Sequence, residues 1–508
     1  MWHGGAIPEQ IDVLVIGGGT SGAALAGIVA RDTSRNVLLL EAGPDYGALA
    51  DGRWPADLLE ARTIPLTHNW GYEGIAHAAQ MAPIPYSRAR VIGGCSAHNG
   101  CVALLGHRRD YDHWAELGNT GWDWESVAPA FERAKRGLRV REVADEELTP
   151  FHRAFVEGAV AAGIPRSIGM NDPRETEGVA GSPVNVHDGM RWNTALGYLD
   201  PVRGQSNLTV IGNALVDCIE TRDGRAIAAH AIIDGDARRI AAGRIVLSAG
   251  AYGSPGILLR SGIGPADELR ALGIQAVHDL PGVGRALADH PAAGLIYRGS
   301  DRLDAEMDEF ERTRWTPDEQ ALLKTRSGRC KEAFDLHLFS VIIRDPDTGE
   351  RGYWVSVSSV APKSVGTVRL ASTDPAAAPL IDHGYLTDDA GDDLEALLDG
   401  IRLGREIMAP SLASGLLAEE VTPGPGAASR AELIDFIERT VGIYYHPTST
   451  CRMGPATDAG SVVNADGKLH GLDGLYVCDA SIFPVIMRAN TNLPAAMVAE
   501  HLAERIGS

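Results

Sequence analysis

The chain has 508 residues, 44% of them apolar and 22% charged, with a formal net charge of −21. That length exceeds what one ordinary core holds, so two or three domains are expected. The acidic balance excludes a nucleic-acid binder and a protein drawn to anionic membranes, since both need clustered positive charge.

Residues 11–16 read as a short buried strand around Val13-Leu14-Val15-Ile16. Gly17-Gly18-Gly19-Thr20-Ser21-Gly22 follows as a tight turn, then Ala23 to Arg31 as a helix. Asn36 to Leu40 return as a second strand ending at Glu41. This is one βαβ unit, right-handed and parallel. Its glycines let the turn and the helix N-terminus lie against a pyrophosphate. Glu41 stands 19 residues beyond Gly22, the usual reach for an acid that bonds a ribose hydroxyl. Residues 13–30 carry no charge, but five of them are glycine and no positive segment precedes them. They read as strand, turn and helix, neither a membrane span nor a secretory signal.

Residues 55–90 read as irregular, broken by Pro55, Pro65, Pro83 and Pro85. Within Ile92-Gly93-Gly94-Cys95-Ser96-Ala97-His98-Asn99-Gly100, a glycine pair lets backbone approach a flat ring system because no Cβ intervenes. A histidine four residues later is placed to meet the ring edge. Alone, His98 would read as a hydrogen-bonded core residue. Downstream of the fingerprint it points to a flavoenzyme and is a candidate for covalent flavin attachment.

Val127 to Lys135 read as a short helix, and residues 136–190, charged and rich in Gly and Pro, as a crossing into a second domain. Asn207 to Val210 and Arg244 to Gly250 read as strands returning to the nucleotide sheet. Between residues 296 and 440, the alternation Tyr353-Trp354-Val355-Ser356-Val357 fits an antiparallel sheet covered on one side. Six cysteines are scattered without Cys-x-x-Cys spacing, which indicates neither a metal site nor a disulfide framework, and reduced cytoplasmic thiols are the simplest account.

Several segments together carry a resemblance. Val15-Ile16-Gly17 through Leu40-Glu41-Ala42-Gly43-Pro44, Arg88-Ala89-Arg90-Val91-Ile92-Gly93-Gly94, and Leu247-Ser248-Ala249-Gly250-Ala251 with Ser261-Gly262-Ile263-Gly264-Pro265 occur in order. Val283-Gly284 with Asp289-His290-Pro291 follows, then Tyr445-His446-Pro447, Cys451-Arg452-Met453-Gly454, Asp479-Ala480-Ser481 and Ala489-Asn490-Thr491-Asn492. The chain resembles the glucose–methanol–choline (GMC) oxidoreductases over nearly its whole length, most of all the choline-oxidising members. The resemblance implies an α/β fold: a Rossmann-like FAD-binding domain with a second α+β substrate domain on an antiparallel sheet. Residues 1–150, 190–295 and 441–508 would form the discontinuous FAD domain, and 151–189 with 296–440 the substrate domain.

For FAD binding, the fingerprint and the resemblance together imply Gly17, Gly19, Thr20, Ser21, Gly22, Glu41 and Ala42. The resemblance adds Arg90, Gly94, His98, Asn99 and Gly100, with His98 bonded to the flavin 8α-methyl as in choline-oxidising members. It also adds Val216, whose backbone would meet the adenine, together with Ala249, Asp479, Ala480, Asn490 and Thr491. Trp54, His337, Tyr444 and Tyr445 would line the substrate pocket, where aromatic faces attract cations. Two departures stand out. Gly100 replaces a serine, and the segment between Trp315 and His337 is shortened, leaving Glu309, Glu311 and Glu332 as candidates for the carboxylate that holds a trimethylammonium group.

Oxidising a primary alcohol removes a proton from oxygen and a hydride from carbon, so a base and a donor to the oxygen are needed. His446, its backbone restricted by Pro447, is the expected base. Asn490 is the expected donor, an amide that orients the alcohol without titrating. Hydride then passes to flavin N5, with the carbon held ~3–3.5 Å away. The expected function is oxidation of a small choline-like or aryl- or furan-methanol substrate, with O2 or another electron acceptor. A hydroxynitrile lyase that carries FAD without redox chemistry is the alternative, while a light-driven decarboxylase needs an apolar tunnel of which the sequence gives no sign. No metal, nucleic-acid or membrane partner is expected, and a cytoplasmic homodimer is the default assembly.

Overall fold

The computed structural model describes residues 7–345 and 347–507; residues 1–6, 346 and 508 of the expected domain ranges lie outside the described residues. At its centre β1 (Val13–Ile16) pairs in parallel with β2 (Val37–Leu40) on one side and with Arg244–Leu247 on the other. Val13 stands opposite Val37 and Arg244. Leu208–Ile211 and Leu475–Val477 complete a five-stranded parallel sheet at its two edges. β1 and β2 are buried along their whole length, as expected where both faces are covered and strands are continuously apolar. α1 (Thr20–Val29) packs against the C-terminal helix Asn492–Gly507. Because the chain leaves β1 for opposite neighbours, the carboxyl end of β1 is a switch point where a ligand crevice opens.

The second sheet is antiparallel. Its order is Leu417–Thr422, Pro291–Gly299, Arg351–Ser359, Leu336–Arg344, Glu319–Thr325 and Gly178–Gly181, and Gly442–Ile443 pairs with the start of Pro291–Gly299. The long helix Asp392–Ala413 covers one face, and Tyr353, Val355 and Val357 join the apolar cluster beneath it. Trp354 and Ser356, the alternate residues, line a cavity on the opposite face. The alternation read from the sequence thus separates a helix-covered face from a cavity face.

The structure also redraws the expected limits. Residues 291–295 and 442–443 belong to the antiparallel sheet, not with the nucleotide part, because the strand runs on directly from Asp289-His290. The 136–190 crossing carries structure of its own: helix Pro150–Ala161, started by the Thr149 side chain accepting from His152 N, and strand Gly178–Gly181. Residues 214–241 form a separate three-stranded antiparallel sheet. No helix among the described residues is long and apolar enough to cross a membrane.

Candidate active site

A cavity of ≈580 Å³ runs from the carboxyl end of the parallel sheet to the face of the antiparallel one. At the first end the chain turns sharply at Gly17, whose φ is +99° and whose hypothetical Cβ would lie 2.4 Å from the Ser248 carbonyl oxygen. Two residues on, Gly19 is the N-cap of α1 and no side chain caps the helix. A Cβ on Gly19 would meet nothing closer than the Gly94 Cα at 3.9 Å, so backbone N–H groups stand open beside the cavity. The glycine-pair segment packs against this turn: a Cβ on Gly94 would sit 2.5 Å from the Gly19 Cα. The Glu41 carboxylate closes this end, accepting from Gly18 N (2.8 Å) and Gly43 N (2.7 Å), and burial pushes it up to about 7. An open helix N-terminus, a cradle that a side chain would fill and an acid at the strand end fit the pyrophosphate and ribose of a dinucleotide.

Most residues expected at the cofactor do line this cavity. On the N-terminal side these are Gly17, Gly19, Thr20, Ser21, Glu41 and Ala42. Gly94, His98, Asn99 and Gly100 follow, then Val216 and Ala249, and finally Asp479, Ala480, Asn490 and Thr491. Gly22 and Arg90 do not line it. A Cβ on Gly22 would lie 1.9 Å from the Gly17 carbonyl oxygen, so Gly22 serves the packing of the turn. Arg90 donates to the Ala42 carbonyl (3.2 Å) and lies over the Trp70 ring at 4.8 Å. Asp479 accepts from Gly250 N, Ser254 Oγ and Ser481 N, fixing the start of helix Gly250–Arg260 and the turn at Ala480–Ile482.

At the far end His446 is 7% exposed. Tyr445, just before it, has φ +64°, a left-handed conformation that costs a bulky residue about 1–3 kcal/mol and marks a site held by its surroundings. Asp289 holds the bend by accepting from His446 N (2.9 Å) and His290 N (2.7 Å). The two imidazoles meet Nδ1 to Nδ1 at 3.0 Å, and His290 Nε2 lies 3.1 Å from the Met487 carbonyl oxygen. Burial lowers His290 to about 3 and holds His446 well below the usual imidazole range, where the neighbouring His290 ring, the Arg88 cation and the His337 ring further disfavour a protonated His446.

With both rings neutral, the protons are assigned in sequence. The Met487 carbonyl only accepts, so His290 Nε2 carries its proton and His290 Nδ1 is an acceptor. His446 Nδ1 must therefore donate, which leaves His446 Nε2 with a free lone pair. His446 and Asn490 both line the cavity, and the Asn490 Oδ1 is buried with no hydrogen-bond partner among the described residues. The sequence reading gave neither His290 nor Met487 a role. The Asp289-His290-Pro291 motif marked the place, but its contact with His446 spans 156 positions.

At the pocket wall, Tyr444 and Tyr445 line the cavity, and the Tyr444 ring meets His446 edge-on at 4.7 Å. Trp54 does not line it: its indole N–H is tied to the Gly47 carbonyl (3.0 Å), which holds the ring in the core. His337 is also outside, stacked on Phe334 and edge-on to Phe339, whose ring does reach the cavity. Trp70 and Tyr72, rings stacked at 5.8 Å, line the cavity and were not singled out from the sequence. The expected carboxylates are elsewhere too. Glu309 pairs with Arg312, Glu311 with Arg344 and Arg351, and Glu332 with Arg109. Besides Glu41 and Asp479, the acid that lines the cavity is Glu319.

The sequence matches the GMC oxidoreductase family over residues 11–292 and again over 362–499. The chain is a GMC oxidoreductase. It is 32% identical to oxygen-dependent choline dehydrogenase 1 of Chromohalobacter salexigens, over 98% of this chain and 95% of that protein. Choline oxidase of Arthrobacter globiformis is similar to the same degree, 32%, over the same shares. Among solved structures, pyridoxine 4-oxidase from Mesorbium loti superposes with a TM-score of 0.86 at 27% identity, covering 98% of this chain and 99% of that one. This GMC oxidoreductase is thus an FAD-dependent enzyme of the alcohol-oxidising kind, and one end of the cavity between its two sheets has an uncapped helix start and an acid that fit a dinucleotide.

Proposed function

We propose that this GMC oxidoreductase oxidises a small primary alcohol to the aldehyde, with His446 as the base. The proton assignment along Met487, His290 and His446 carries the reading, because it leaves one neutral imidazole nitrogen free in the cavity. Bound FAD supplies the hydride acceptor at N5. His446 Nε2 takes the hydroxyl proton. The Asn490 amide donates to the alcohol oxygen and steadies the charge that develops there. Similarity to proteins named for choline and pyridoxine supports a primary alcohol, choline-like or arylmethyl. Under anaerobic conditions, addition of such an alcohol is expected to bleach the flavin absorbance. Flavin that stays oxidised across a broad alcohol panel contradicts the reading and favours the lyase. Peroxide formed in air, against reduction of a dye without air, separates an oxidase from a dehydrogenase.

His98 is the proposed point of covalent attachment. Its Nε2 donates to the Thr67 carbonyl (2.7 Å) and burial keeps the ring neutral, so Nδ1 is the nitrogen with an available lone pair. Acid-precipitated protein should then stay yellow; a colourless pellet with free FAD in the supernatant would reject the bond.

A further inference from the structure

Behind the His446 turn, a buried carboxylate and a buried imidazole face each other, each with a polar atom to spare. His383 directly follows the strand Leu380–Asp382, and neither its side chain nor that of Asp289 is exposed. His383 Nδ1 lies 3.9 Å from Asp289 Oδ2, and neither atom has a hydrogen-bond partner among the described residues. Both are costly unpaired, and closing the gap by about 1 Å joins them. Leu287 and Gly366 exchange both backbone hydrogen bonds (3.1 and 2.7 Å), which ties the hairpin before His383 to the segment leading into Asp289. The rings of Tyr86 and Tyr385 flank the imidazole at 4.8 and 4.9 Å. At the other nitrogen, His383 Nε2 meets the Tyr252 hydroxyl at 2.9 Å, and Tyr252 lines the cavity. Burial lowers His383 to about 3, so the ring is neutral and carries one proton. With the Tyr252 O–H donating to Nε2, that proton sits on Nδ1, opposite Asp289.

We infer that His383 is a positioning residue for the reaction: its Nδ1–H donates to Asp289 Oδ2 and keeps Asp289 ionised beside His446. The inference rests on the proposed role of His446 as base and adds what such a base needs. When His446 Nε2 takes the hydroxyl proton, the ring becomes a cation. Its Nδ1–H ends on His290, and His290 Nε2–H ends on the Met487 carbonyl, so the pair gives that charge no exit. His290 and His337 face it as neutral rings and Arg88 as a cation. Asp289, one hydrogen bond from the His446 backbone, supplies the negative charge that steadies it. Burial pushes Asp289 up to about 7, opposed by the His446 N–H, Arg88, the His290 N–H and Tyr385. Tyr86, Tyr252 and Tyr445 also face it, all held above the usual phenol range and so neutral. A further donor on Oδ2 holds the carboxylate ionised below neutral pH.

Two amides separate the two ring nitrogens, since Asn has the reach of Nδ1 and Gln that of Nε2. Flavin reduction by benzyl alcohol is followed anaerobically against pH in the FAD-loaded enzyme, H383N and H383Q. H383Q leaves Asp289 without its donor, so the carboxyl stays protonated to higher pH and the rate gains an acid limb at or above pH ~7. At pH ~6 its rate should lie about tenfold or more below that of the unaltered enzyme, closing to within about threefold at pH ~9. H383N should stay within about threefold throughout, because its N–H replaces Nδ1–H. A side chain that merely fills space would leave the limb in place in both variants. The same limb in all three proteins, or one moved equally by H383N and H383Q, overturns the inference. An infrared pH titration needs no turnover: at pH ~6 Asp289 should be ionised in the unaltered enzyme and protonated in H383Q. D289N is the blank that removes Glu41 and Glu319, which burial also pushes up to about 7. A protonated Asp289 at pH ~6 in the unaltered enzyme overturns the inference even where H383Q loses its FAD. Should the alcohol reduce none of the proteins, the oxidation reading fails and the infrared titration still decides the role of His383.

Discussion

On the parallel-sheet side, the cavity is bounded mostly by backbone: the Gly17 turn, the uncapped start of α1 and the Gly94 segment pressed against Gly19. On the antiparallel-sheet side it is bounded by side chains, Glu319, Phe339, Trp354 and Ser356, offered by strands that meet across the fold. The two walls serve different ends. A nucleotide of constant shape is met by main-chain groups whose positions need glycine and little else. A particular alcohol is met by side chains that can change without disturbing the sheet beneath them. His446, the proposed base, draws its orientation from Asp289 and His290, which lead directly into the strand Pro291–Gly299 of the antiparallel sheet.

If the backbone wall is as tight as its contacts indicate, Gly94→Val should be the most damaging change. It places a branched side chain at φ +52° and 2.5 Å from the Gly19 Cα, a combination of strain and overpacking. Little FAD should co-purify with the variant, as read from the ratio of flavin to protein absorbance; full FAD content would break the contrast between the walls. Asn490→Ala should keep its FAD and lower kcat/KM by about 10² for benzyl alcohol, the effect of losing one positioned donor. Unchanged kcat/KM would remove Asn490 from the mechanism.

The pH profile sharpens the same division. Burial depresses the His446 pKa, so its neutral base form persists as pH falls and is lost only well below the usual imidazole range. For an uncharged alcohol, the acid limb of kcat/KM should therefore lie well below pH ~6.5. A limb at or above that value would mean that a different group, or a protonated His446, governs the rate. The smallest effect is expected from Trp54→Phe. Losing the indole bond to Gly47 should lower stability by about 1 kcal/mol in a denaturant titration, with kcat/KM unchanged, because the ring stands behind the wall.

The difference between the walls also explains what the sequence made legible. Glu41 was readable because a ribose acid follows its glycine turn at a spacing set by one helix and one strand. The glycines at 17, 19 and 94 were readable because close backbone approach has no other residue solution. Trp54 and His337 were misplaced because neighbours along the chain do not fix which way a ring turns; a carbonyl seven residues away claimed one, and the Phe334 face the other. Glu319 was passed over in favour of Glu309, Glu311 and Glu332 because its position depends on the pairing of Glu319–Thr325 with Leu336–Arg344, including a one-residue irregularity. The tautomer chain from Met487 to His446 depends on contacts between distant segments, which no local pattern records.

The central assignment is the free nitrogen of His446, and rapid anaerobic mixing of His446→Ala with benzyl alcohol tests it most directly. The rate of flavin reduction should fall by about 10²–10⁴ against the unaltered enzyme while FAD content is retained. Reduction within about threefold of the unaltered rate, a difference too small for the loss of a general base, would contradict the account.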